Sequence, residues 1–387
     1  MCPSYVKNSN FESMDEGQTQ ATSLLCAEFL QKHCEQRDLK KCRMANKRTA
    51  LVILNWNGKH LLGRFLPGII KHTPPEVELI VADNASEDDS VGFLKKHFPE
   101  VRIITMKKNL GFAGGYNKAL ESVDADYFIL LNSDIEVSEA WIEPCIKLLD
   151  EHPQVAAVQP RIRSLENKAF FEYAGAAGGM LDHFGYPYCR GRIFNHLEKD
   201  TGQYDDVCEV FWATGAAMFV RADVFMDTGG FDASFFAHME EVELCWRFQN
   251  MGHKVFYCPQ SVVYHLGGGS LPKANPQKTY YNFRNSLWML TKQLPPQSFY
   301  ARILPRLSLD VIAAAKFFLQ GHFRDCLAVF RAHLAFCGKW RKLRKQYHHH
   351  KSDVPAMLYR GSIVFDYFIR RKKTYTELAL RPSSAKA

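Results

Sequence analysis

The chain has 387 residues, of which 47% are hydrophobic, 13% aromatic and 23% charged, and its formal net charge is +8. This length and composition are typical of a globular protein of two or three domains and exclude a disordered polymer or a small disulfide scaffold. The charge is unevenly distributed. Residues 297–387 contain 18 of the 49 Lys and Arg residues and 5 of the 41 Asp and Glu residues, so their net charge is +13. The net charge of residues 1–296 is −5. Composition alone does not decide whether this basic tail serves a nucleic acid or an anionic membrane.

The N-terminal residues 1–46 differ from the rest, since Asn, Ser, Glu and Gln are common and four of the eleven cysteines lie there. We predict a loose extension with Met44, just before the first strand, as a candidate native start. We see no secretory signal, no apolar run long enough to span a membrane and no Cys-x-x-Cys pair. These features favour a cytoplasmic protein with reduced thiols.

From residue 49 onward, short apolar strands alternate with segments of helical length. The predicted strands are Thr49–Leu54, Val77–Asp83, Val101–Thr105, Tyr127–Leu131 and Val155–Val158, and the predicted helices are Leu61–Lys71, Asp88–His97, Gly114–Ser122 and Glu139–Glu151. Continuous Val, Ile and Leu strands separated by helices indicate an α/β fold with a doubly wound, mostly parallel sheet and helices on both faces. Ligands of such sheets bind beyond the carboxyl ends of the strands, so candidate site residues follow each strand.

The second half of this region is less regular. Residues 160–210 combine glycines with aromatic residues and predict a hairpin or an insertion over the site. Further strands are expected at Val210–Val220 and Lys254–Tyr257, with helices at Val242–Asn250 and 276–293. After Pro295 and Pro296 the basic tail has helical periodicity at Ser308–Gln320 and Asp325–Phe336.

Polar residues follow the first two strands. Asn55, Trp56, Asn57 and Gly58 can turn the backbone so that N–H groups point at a ligand, although Asn57 as the N-cap of the next helix explains the pattern equally well. Asp83 after the second strand can accept hydrogen bonds from a base or a ribose, but Asp is also a routine helix cap. Neither signal is specific by itself.

A glycine-rich turn follows the third strand and opens a helix. It contains Asn109, Gly111, Gly114 and Gly115, and its spacing is not the G-x-G-x-x-G of dinucleotide-binding folds. We therefore expect only a close approach of its backbone to a phosphate or a sugar.

The fourth strand runs into Asn132, Ser133 and Asp134. A carboxylate at the ligand end of a sheet suits Mg²⁺ or Mn²⁺ carrying phosphate oxygens, while the alternative is that Asp134 or Ser138 merely caps the next helix. His265 follows another strand and can complete a metal shell, although a lone histidine is usually structural.

Three carboxylates, Glu240, Glu241 and Glu243, begin a predicted helix. Negative charges at this end of a helix interact favourably with the helix dipole, and Glu243 can pair with Arg247 four residues later. Glu240 and Glu241 also lie among Phe and Met residues, where a raised pKa suits a general base. Both interpretations hold if different residues have different roles.

In their order these motifs closely resemble family 2 glycosyltransferases with the GT-A fold, in particular the bacterial rhamnosyltransferase-like group that decorates cell-surface polysaccharides. The resemblance covers roughly residues 48–294 and is carried by Leu51–Gly58, Val81–Ser86, Asn109–Gly115, Leu131–Asp134, Gly229–Asp232 and Glu240–Arg247. It implies an inverting transfer of a sugar from a nucleotide-diphosphate donor to a hydroxyl of a saccharide or lipid-linked saccharide. The different-class alternative is a non-catalytic nucleotide- or saccharide-binding protein that retains the fold.

The resemblance also implies roles for individual residues. Asp83 holds the nucleotide base, Asp134 binds the metal on the donor diphosphate, and His265 adds a metal or diphosphate contact. Glu241 stands where the family usually has an aspartate base, so Glu240 is the alternative base. The expected nucleotide-sugar contacts are Asn55, Asn57, Asp83, Asn109, Gly111, Gly114, Gly115, Ser133 and Gly215, and the expected acceptor or diphosphate contacts are Trp212, Arg284 and Asn285. Asn132 departs from the family pattern, which has an acid at that position.

The basic tail contains two dense runs, Lys339–Lys345 and Arg370–Lys373, with aromatic residues nearby. Since acceptors of this family are often lipid-linked, we predict peripheral attachment to the anionic inner face of the cell membrane and no nucleic-acid partner. The alternative is a solvated basic face. The expected organisation is an extension at 1–46, a GT-A domain at 47–294 and a basic helical tail at 297–387.

Overall fold

The computed structural model describes residues 47–267, 275–346 and 357–378, so the predicted N-terminal extension lies outside the described residues. The strands are β1 Thr49–Asn55, β2 Val77–Asp83, β3 Arg102–Thr105, β4 Tyr127–Asn132, β5 Ile135–Val137, β6 Val155–Ser164, β7 Gly179–Leu181, β8 Pro187–Cys189, β9 Arg192–Ile193, β10 His196–Leu197, β11 Cys208–Val210, β12 Ala217–Arg221 and β13 Lys254–His265. The helices are α1 Lys59–Lys71, α2 Ser90–His97, α3 Gly111–Leu120, α4 Glu143–Glu151, α5 Ala222–Asp227, α6 Glu240–Asn250, α7 Pro276–Gln293, α8 Pro296–Leu319, α9 Phe323–Arg344 and α10 Ile363–Phe368.

The main sheet has the strand order β11-β13-β6-β12-β4-β1-β2-β3, with β5 paired to β13. The pairs β1–β2, β1–β4, β2–β3 and β6–β13 are parallel. Strand β12 lies antiparallel between β4 and β6. The predicted α/β fold is confirmed, and the parallel pairs put the carboxyl ends of β1, β2 and β4 at one edge.

Alternate residues of the central strands face two hydrophobic cores, as the two-residue period of a strand requires. Leu51 and Ile53 of β1 join the core formed with α1 and α4, whereas Ala50 and Val52 join the core formed with α3 and α6. Burial on both faces accounts for the continuous apolar composition of these strands.

The predicted strand Val210–Val220 is wrong in its middle. The chain forms β11, which pairs with β13 at the sheet edge, and then crosses to form β12 beside β4. Trp212 lies in the connecting segment, where its indole N–H donates to the Met180 carbonyl at 2.9 Å. A continuous apolar run therefore served two strands at different places in the sheet.

The irregular region after β6 contains a small antiparallel sheet of β7–β10, in agreement with the predicted insertion. This sheet and its turns pack against the C-terminal segment, where Asp182 accepts a hydrogen bond from the Ile363 N–H at 2.9 Å. The predicted tail helix Ser308–Gln320 corresponds to the C-terminal half of α8, and Asp325–Phe336 lies within α9; both helices are longer than their periodicity indicated.

Candidate active site

The carboxyl ends of three neighbouring strands align at one edge of the sheet. Asn55 is in register with Asp83 across β1 and β2, and Leu54 is in register with Asn132 across β1 and β4. The buried Asp83 carboxylate accepts hydrogen bonds from the Asn55 side-chain amide and from the Ser86 N–H, each at 3.0 Å. The fold thus fixes an oriented carboxylate beside an amide, a pair suited to the edge of a nucleotide base.

Asn57 has a different structural role from the helix cap that was its alternative explanation. Helix α1 begins after Gly58 and has no side-chain cap. The Asn57 side-chain oxygen instead accepts a hydrogen bond from the Glu87 N–H at 2.7 Å, and its own N–H donates to Ser86 at 2.9 Å. Asn57 therefore joins the loops after β1 and β2.

The glycine-rich turn is packed against the rest of the protein. Gly111 has φ +73°, and a Cβ there would lie 2.5 Å from the Phe236 carbonyl oxygen. A Cβ on Gly115 would lie 2.9 Å from the Leu54 side chain, and one on Gly114 would lie 3.1 Å from Leu110 Cβ. Packing alone accounts for these glycines, so the approach of their backbone to a phosphate or sugar stays a prediction.

Two polar residues shape the same turn. The Asn109 side-chain oxygen accepts from the Gly111 N–H at 2.8 Å and from the Asn84 amide at 3.0 Å. The Phe112 N–H donates to the Phe236 carbonyl at 2.7 Å. The start of α3 is consequently joined to the loop that leads into α6. Gly215 lies nearby, since its Cβ would meet the Phe112 ring at 2.8 Å.

Asp134 and His265 are brought together by the pairing of β5 with β13. Ser133 and Asp134 form the turn between β4 and β5, and His265 is in register with Ile135. His265 Nε2 lies 3.2 Å from Asp134 Oδ1, and His265 Nδ1 lies 3.0 Å from Glu172 Oε2. Burial opposes protonation of this ring, but the two carboxylates outweigh burial and raise the pKa of His265 to about 10.

This donor set fits a hard divalent cation that is shared with a phosphorylated ligand. Magnesium is commonly held by one or two carboxylates together with substrate phosphates, and imidazole is an accepted ligand of manganese. Among the described residues, no group of three or more His, Cys, Asp or Glu side chains is arranged to hold a metal by itself. The remaining coordination positions would therefore come from water and the ligand.

Glu240 and Glu241 begin α6, and each has a buried carboxylate oxygen with no hydrogen-bond partner among the described residues. Burial raises the pKa of Glu241 to about 7. Burial and the neighbouring Glu241 charge raise the pKa of Glu240 well above its usual value. Such a carboxyl takes up and releases a proton near neutral pH, as a general base must.

Glu243 on the same helix contrasts with this pair. Its carboxylate accepts hydrogen bonds from Arg247 at 2.9 Å and from Gln293 at 2.7 Å. Arg247 in turn donates to the Thr228 and Gly230 carbonyls at 2.5 and 2.7 Å. The predicted pairing of Glu243 with Arg247 is confirmed, and Glu243 is structural.

The 232–239 loop, which leads into α6, has a strained backbone. Phe236, His238 and Met239 all have positive φ, between 67° and 71°. Asn285 is fully buried, and its amide nitrogen lies 3.1, 2.9 and 2.7 Å from the carbonyl oxygens of Phe235, Ala237 and His238. Strained conformations persist only where the surroundings hold them, and here a neighbouring helix does so.

Three residues expected at the acceptor or diphosphate occupy positions that the protein itself uses. The amide of Asn285 donates hydrogen bonds to carbonyls of the 232–239 loop. Arg284 donates to the Phe235 carbonyl at 2.9 Å, and its guanidinium stacks on Trp288. Trp212 is buried, with its N–H bonded to Met180. Hydrogen bonds within the protein account for the positions of all three, and their contact with an acceptor or a diphosphate stays a prediction.

Two residues at this edge were not singled out from the sequence. Glu172 lies in the irregular region after β6, where no periodicity or motif indicates a contact with His265. His238 lies in the 232–239 loop, and its Nε2 is buried without a hydrogen bond from a described residue. Burial and the Lys278 charge lower the pKa of His238 to about 4, so the ring is neutral near pH 7.

Comparison with known proteins gives this arrangement a family. The chain is 26% identical over 223 residues to N-acetylglucosaminyl-diphospho-decaprenol L-rhamnosyltransferase of Mycobacterium tuberculosis, covering 54% of this chain and 72% of that protein. It is 26% identical over 142 residues to rhamnosyltransferase WbbL of Escherichia coli, covering 37% of this chain and 53% of that protein.

Solved structures with a similar fold include GalNAc-T7 with UDP, GalNAc and Mn²⁺, with a TM-score of 0.49 and 15% identity over 64% of this chain and 48% of that chain. A second is the mannosyltransferase PcManGT of Pyrobaculum calidifontis with GDP-Man and Mn²⁺, with a TM-score of 0.46 and 15% identity over 78% of this chain and 84% of that chain. Residues 50–227 match the family model described as glycosyl transferase family 2. Residues 50–227 therefore resemble family 2 glycosyltransferases, and the relatives of the chain include rhamnosyltransferases.

Proposed function

We propose that the chain is an inverting, metal-dependent glycosyltransferase that moves a sugar from a nucleotide-diphosphate donor to a hydroxyl of a saccharide or lipid-linked saccharide in cell-surface polysaccharide synthesis. The observation that carries this proposal is Glu241, a carboxylate with a pKa of about 7 and an unpartnered buried oxygen. It begins α6, whose leading loop is bonded to the glycine-rich turn. A base in this position can receive the proton of an acceptor hydroxyl.

The donor binds along the aligned strand ends in this proposal. Asp83 and Asn55 contact the nucleotide, and the backbone of the glycine-rich turn lies along the sugar or the diphosphate. Asp134 and His265 would hold Mg²⁺ or Mn²⁺ together with the donor diphosphate. When bound, the cation offsets the charge that develops on the leaving diphosphate. His265 must release its proton to bind a metal, so cation uptake and proton release are linked.

The chemical step then uses Glu241 directly. Its carboxylate takes the hydroxyl proton while the acceptor oxygen forms a bond to the anomeric carbon, and the bond to the diphosphate breaks on the opposite face. Configuration at the anomeric carbon is inverted. His238, three residues before Glu241, has a pKa lowered to about 4 by burial and is therefore uncharged near pH 7.

The acceptor is proposed from the relatives. The mycobacterial protein is named for a rhamnosyl transfer to N-acetylglucosaminyl-diphospho-decaprenol, which suggests a lipid-diphosphate-linked saccharide for this chain. A peripheral position at the inner face of the cell membrane, through the basic runs Lys339–Lys345 and Arg370–Lys373, follows from an acceptor of that kind.

A donor panel tests the proposal. Purified chain is incubated with UDP-, GDP- and dTDP-sugars, with and without Mg²⁺ or Mn²⁺, and free nucleotide is measured along with transfer to lipid-diphosphate saccharides. We expect one donor class to release nucleotide only with the cation, and product analysis to show inverted configuration. Tight donor binding without release of nucleotide from any donor would instead support the non-catalytic alternative.

A further inference from the structure

Helix α8 buries three charged residues beside Phe299, Ile303 and Ala314, while many of its exposed side chains are apolar. Its buried residues include Arg302, Arg306 and Asp310, with Asp310 fully inaccessible to solvent. Its exposed side is apolar, with Ile312 63% exposed and Leu319 85% exposed. Surface helices of globular proteins normally show the reverse distribution.

The buried charges of α8 are satisfied by the protein, which fixes the rotation of the helix. Asp310 accepts hydrogen bonds from Arg306 at 2.9 Å and from the Tyr186 hydroxyl at 2.6 Å. Arg306 also donates to the Ser286 hydroxyl at 2.7 Å and the Phe184 carbonyl at 2.8 Å. Because this network holds the polar side inward, the apolar side is held outward.

Helix α9 continues the same surface. It follows α8 after a three-residue turn, and the Phe318 and Phe323 rings meet at 5.2 Å. Leu334 is 72% exposed, and α10 adds more exposed apolar side chains, with Lys316 of α8 lying 4.6 Å from the Phe368 ring. We call this surface the apolar face, and its exposed members are Tyr300, Leu304, Val311, Ile312, Phe318, Leu319, Phe323, Leu327, Phe330, Leu334, Phe365, Phe368 and Ile369.

Most of the exposed charges around the apolar face are positive. Exposed cations in these helices and just after α10 include Lys316, Arg324, Arg331, Lys339, Arg341, Lys342, Arg370, Arg371 and Lys373. The nearby acids are engaged, since Asp325 accepts from Thr279 at 2.6 Å and the buried Asp366 pairs with Arg370. A second copy of this face would bring like charges together, whereas an anionic bilayer offers apolar chains and opposite charge at once.

We propose that the apolar face inserts into the interfacial layer of a membrane that contains anionic lipids, so that apolar contacts hold the chain there in addition to its basic runs. Within the part of the chain that the structure describes, no helix is both long and apolar enough to cross a membrane. The helices lie in the interface instead, with apolar side chains at the boundary of the acyl chains and cations at the headgroups.

The apolar face is connected to the catalytic region through α7. Helix α9 bonds to α7 through Asp325 and Thr279, and its Arg344 donates to the Thr291 carbonyl at 2.9 Å. Asn285 of the same α7 holds the 232–239 loop in front of Glu241. The inference deepens the proposed function, because a lipid-linked acceptor would reach the site from the surface on which the enzyme rests.

Vesicle sedimentation at two salt concentrations tests the inference. The full chain is mixed with vesicles of phosphatidylglycerol and phosphatidylethanolamine at about 0.1 M and about 1 M salt, where charges are screened beyond about 3 Å. A face variant carries Phe318→Ser, Leu319→Gln, Phe323→Ser and Leu327→Gln. The control carries Met226→Gln and Met251→Gln, two exposed apolar residues that lie outside these helices.

We expect the natural chain and the control to stay bound at high salt, and the face variant to bind at least tenfold more weakly at both salt concentrations. An Arg370→Gln, Arg371→Gln variant should weaken binding mainly at low salt. Release of the natural chain by salt alone, or equal binding of the face variant, overturns the proposal. If light scattering shows that the natural chain is a dimer and the face variant a monomer, the apolar face binds a second copy and the proposal is overturned.

Donor turnover separates this inference from the proposed function. Nucleotide release without vesicles should be the same for the natural chain and the face variant, since none of the four residues lies in the proposed site. If the face variant is unstable, Leu304→Gln with Leu334→Gln on the same face gives the second test. Absence of turnover from every donor contradicts the proposed function, while salt-resistant binding to vesicles still supports the apolar face.

Discussion

The carboxyl edge of the sheet and the C-terminal helices depart from ordinary polarity in opposite ways. At the sheet edge, polar atoms of Glu240, Glu241 and His238 are buried without a hydrogen bond from the described residues. In α8, the buried Arg306 and Asp310 are bonded to each other and to neighbouring groups, and apolar residues such as Leu304 and Leu319 are exposed to water. Both arrangements cost free energy in the isolated chain, since buried polar groups lose hydration and exposed apolar groups order water.

The two regions therefore require different kinds of binding partner. An unpartnered polar atom in the interior calls for a small polar ligand that can enter, while an unpartnered apolar surface calls for something large and apolar outside. Satisfied buried charges, such as Arg306 with Asp310, require neither. The predictions below test whether the two kinds of carboxylate behave as differently as their surroundings indicate.

The largest expected effect is on turnover when Glu241 is changed. Glu241→Gln removes the proposed base while keeping the size of the side chain, so we expect turnover to fall about a thousandfold. Donor affinity should stay near that of the natural chain, because the nucleotide contacts lie on the loops after β1 and β2. The measurements are steady-state transfer and calorimetric binding of the donor.

Glu240→Gln is the matched comparison, since Glu240 is the adjacent carboxylate with the same unpartnered oxygen. A smaller loss than that of Glu241→Gln supports Glu241 as the base. A larger loss would assign the role of base to Glu240. This alternative exists because Glu241 is one methylene longer than the aspartate that the family usually has at this position. Equal and slight losses from both variants would contradict the proposed chemistry.

The second prediction concerns the satisfied carboxylate of α8. Asp310→Asn leaves the Arg306 charge buried without its counter-ion, and removal of one partner from a buried pair typically costs about 3 kcal/mol of folding free energy. Ser308→Ala, an exposed polar position on the same helix, is the control and should change stability little. Denaturant unfolding measures both variants. A loss of turnover without a loss of stability in Asp310→Asn would break the contrast between the two regions.

Much of the fold was predictable because strand burial has a simple sequence signature. Val77–Asp83 and 276–293 agree with the structure at both ends, and continuous apolar runs were enough to find them. Val210–Val220 failed because apolarity does not reveal which neighbour a strand pairs with. Trp212 looked like one more residue of the strand, but tertiary contacts turn the chain there and send its two halves to different places in the sheet.

The residues of the candidate site also fall into two groups, those that the local sequence indicates and those that only long-range contacts bring to the site. Asp83, Asp134 and Glu241 follow strands or begin a helix, and position alone drew attention to them. Glu172 meets His265 only through long-range folding of the irregular region, which no local pattern encodes. Asn285 was expected at a ligand, yet its amide is used by three backbone carbonyls of a loop distant in sequence.

Glu172 leads to a third, smaller effect. It contacts His265 on the side away from Asp134, so Glu172→Gln should disturb the orientation and basicity of the ring and weaken Mn²⁺ binding about tenfold to a hundredfold. Metal titration followed by electron paramagnetic resonance measures this directly. Glu136→Gln, at an exposed pair with Lys168 close to Asp134, is the control. Unchanged Mn²⁺ affinity in Glu172→Gln would remove Glu172 from the site.

The fourth prediction follows from the raised pKa of Glu241 and has opposite signs for activity and stability. With a pKa of about 7, the carboxylate needed as base is about one-tenth populated near pH 6, so kcat/KM at saturating metal should fall about tenfold per unit below pH 7 and level off above about pH 8.

Stability changes in the other direction because the folded state binds this proton more tightly than the unfolded state does. From the ordinary value of 4.5 up to about 7, each rise in pH therefore reduces the contribution of Glu241 to folding. Glu241→Gln removes this linkage, so the variant should be more stable than the natural chain by about 1–2 kcal/mol near pH 8 and equal to it near pH 4. Urea unfolding at the two pH values measures the difference. A variant that is less stable near pH 8 would mean that the carboxylate has a partner in the fold, and Glu241 would then belong with Glu243 and Asp310 among the satisfied acids.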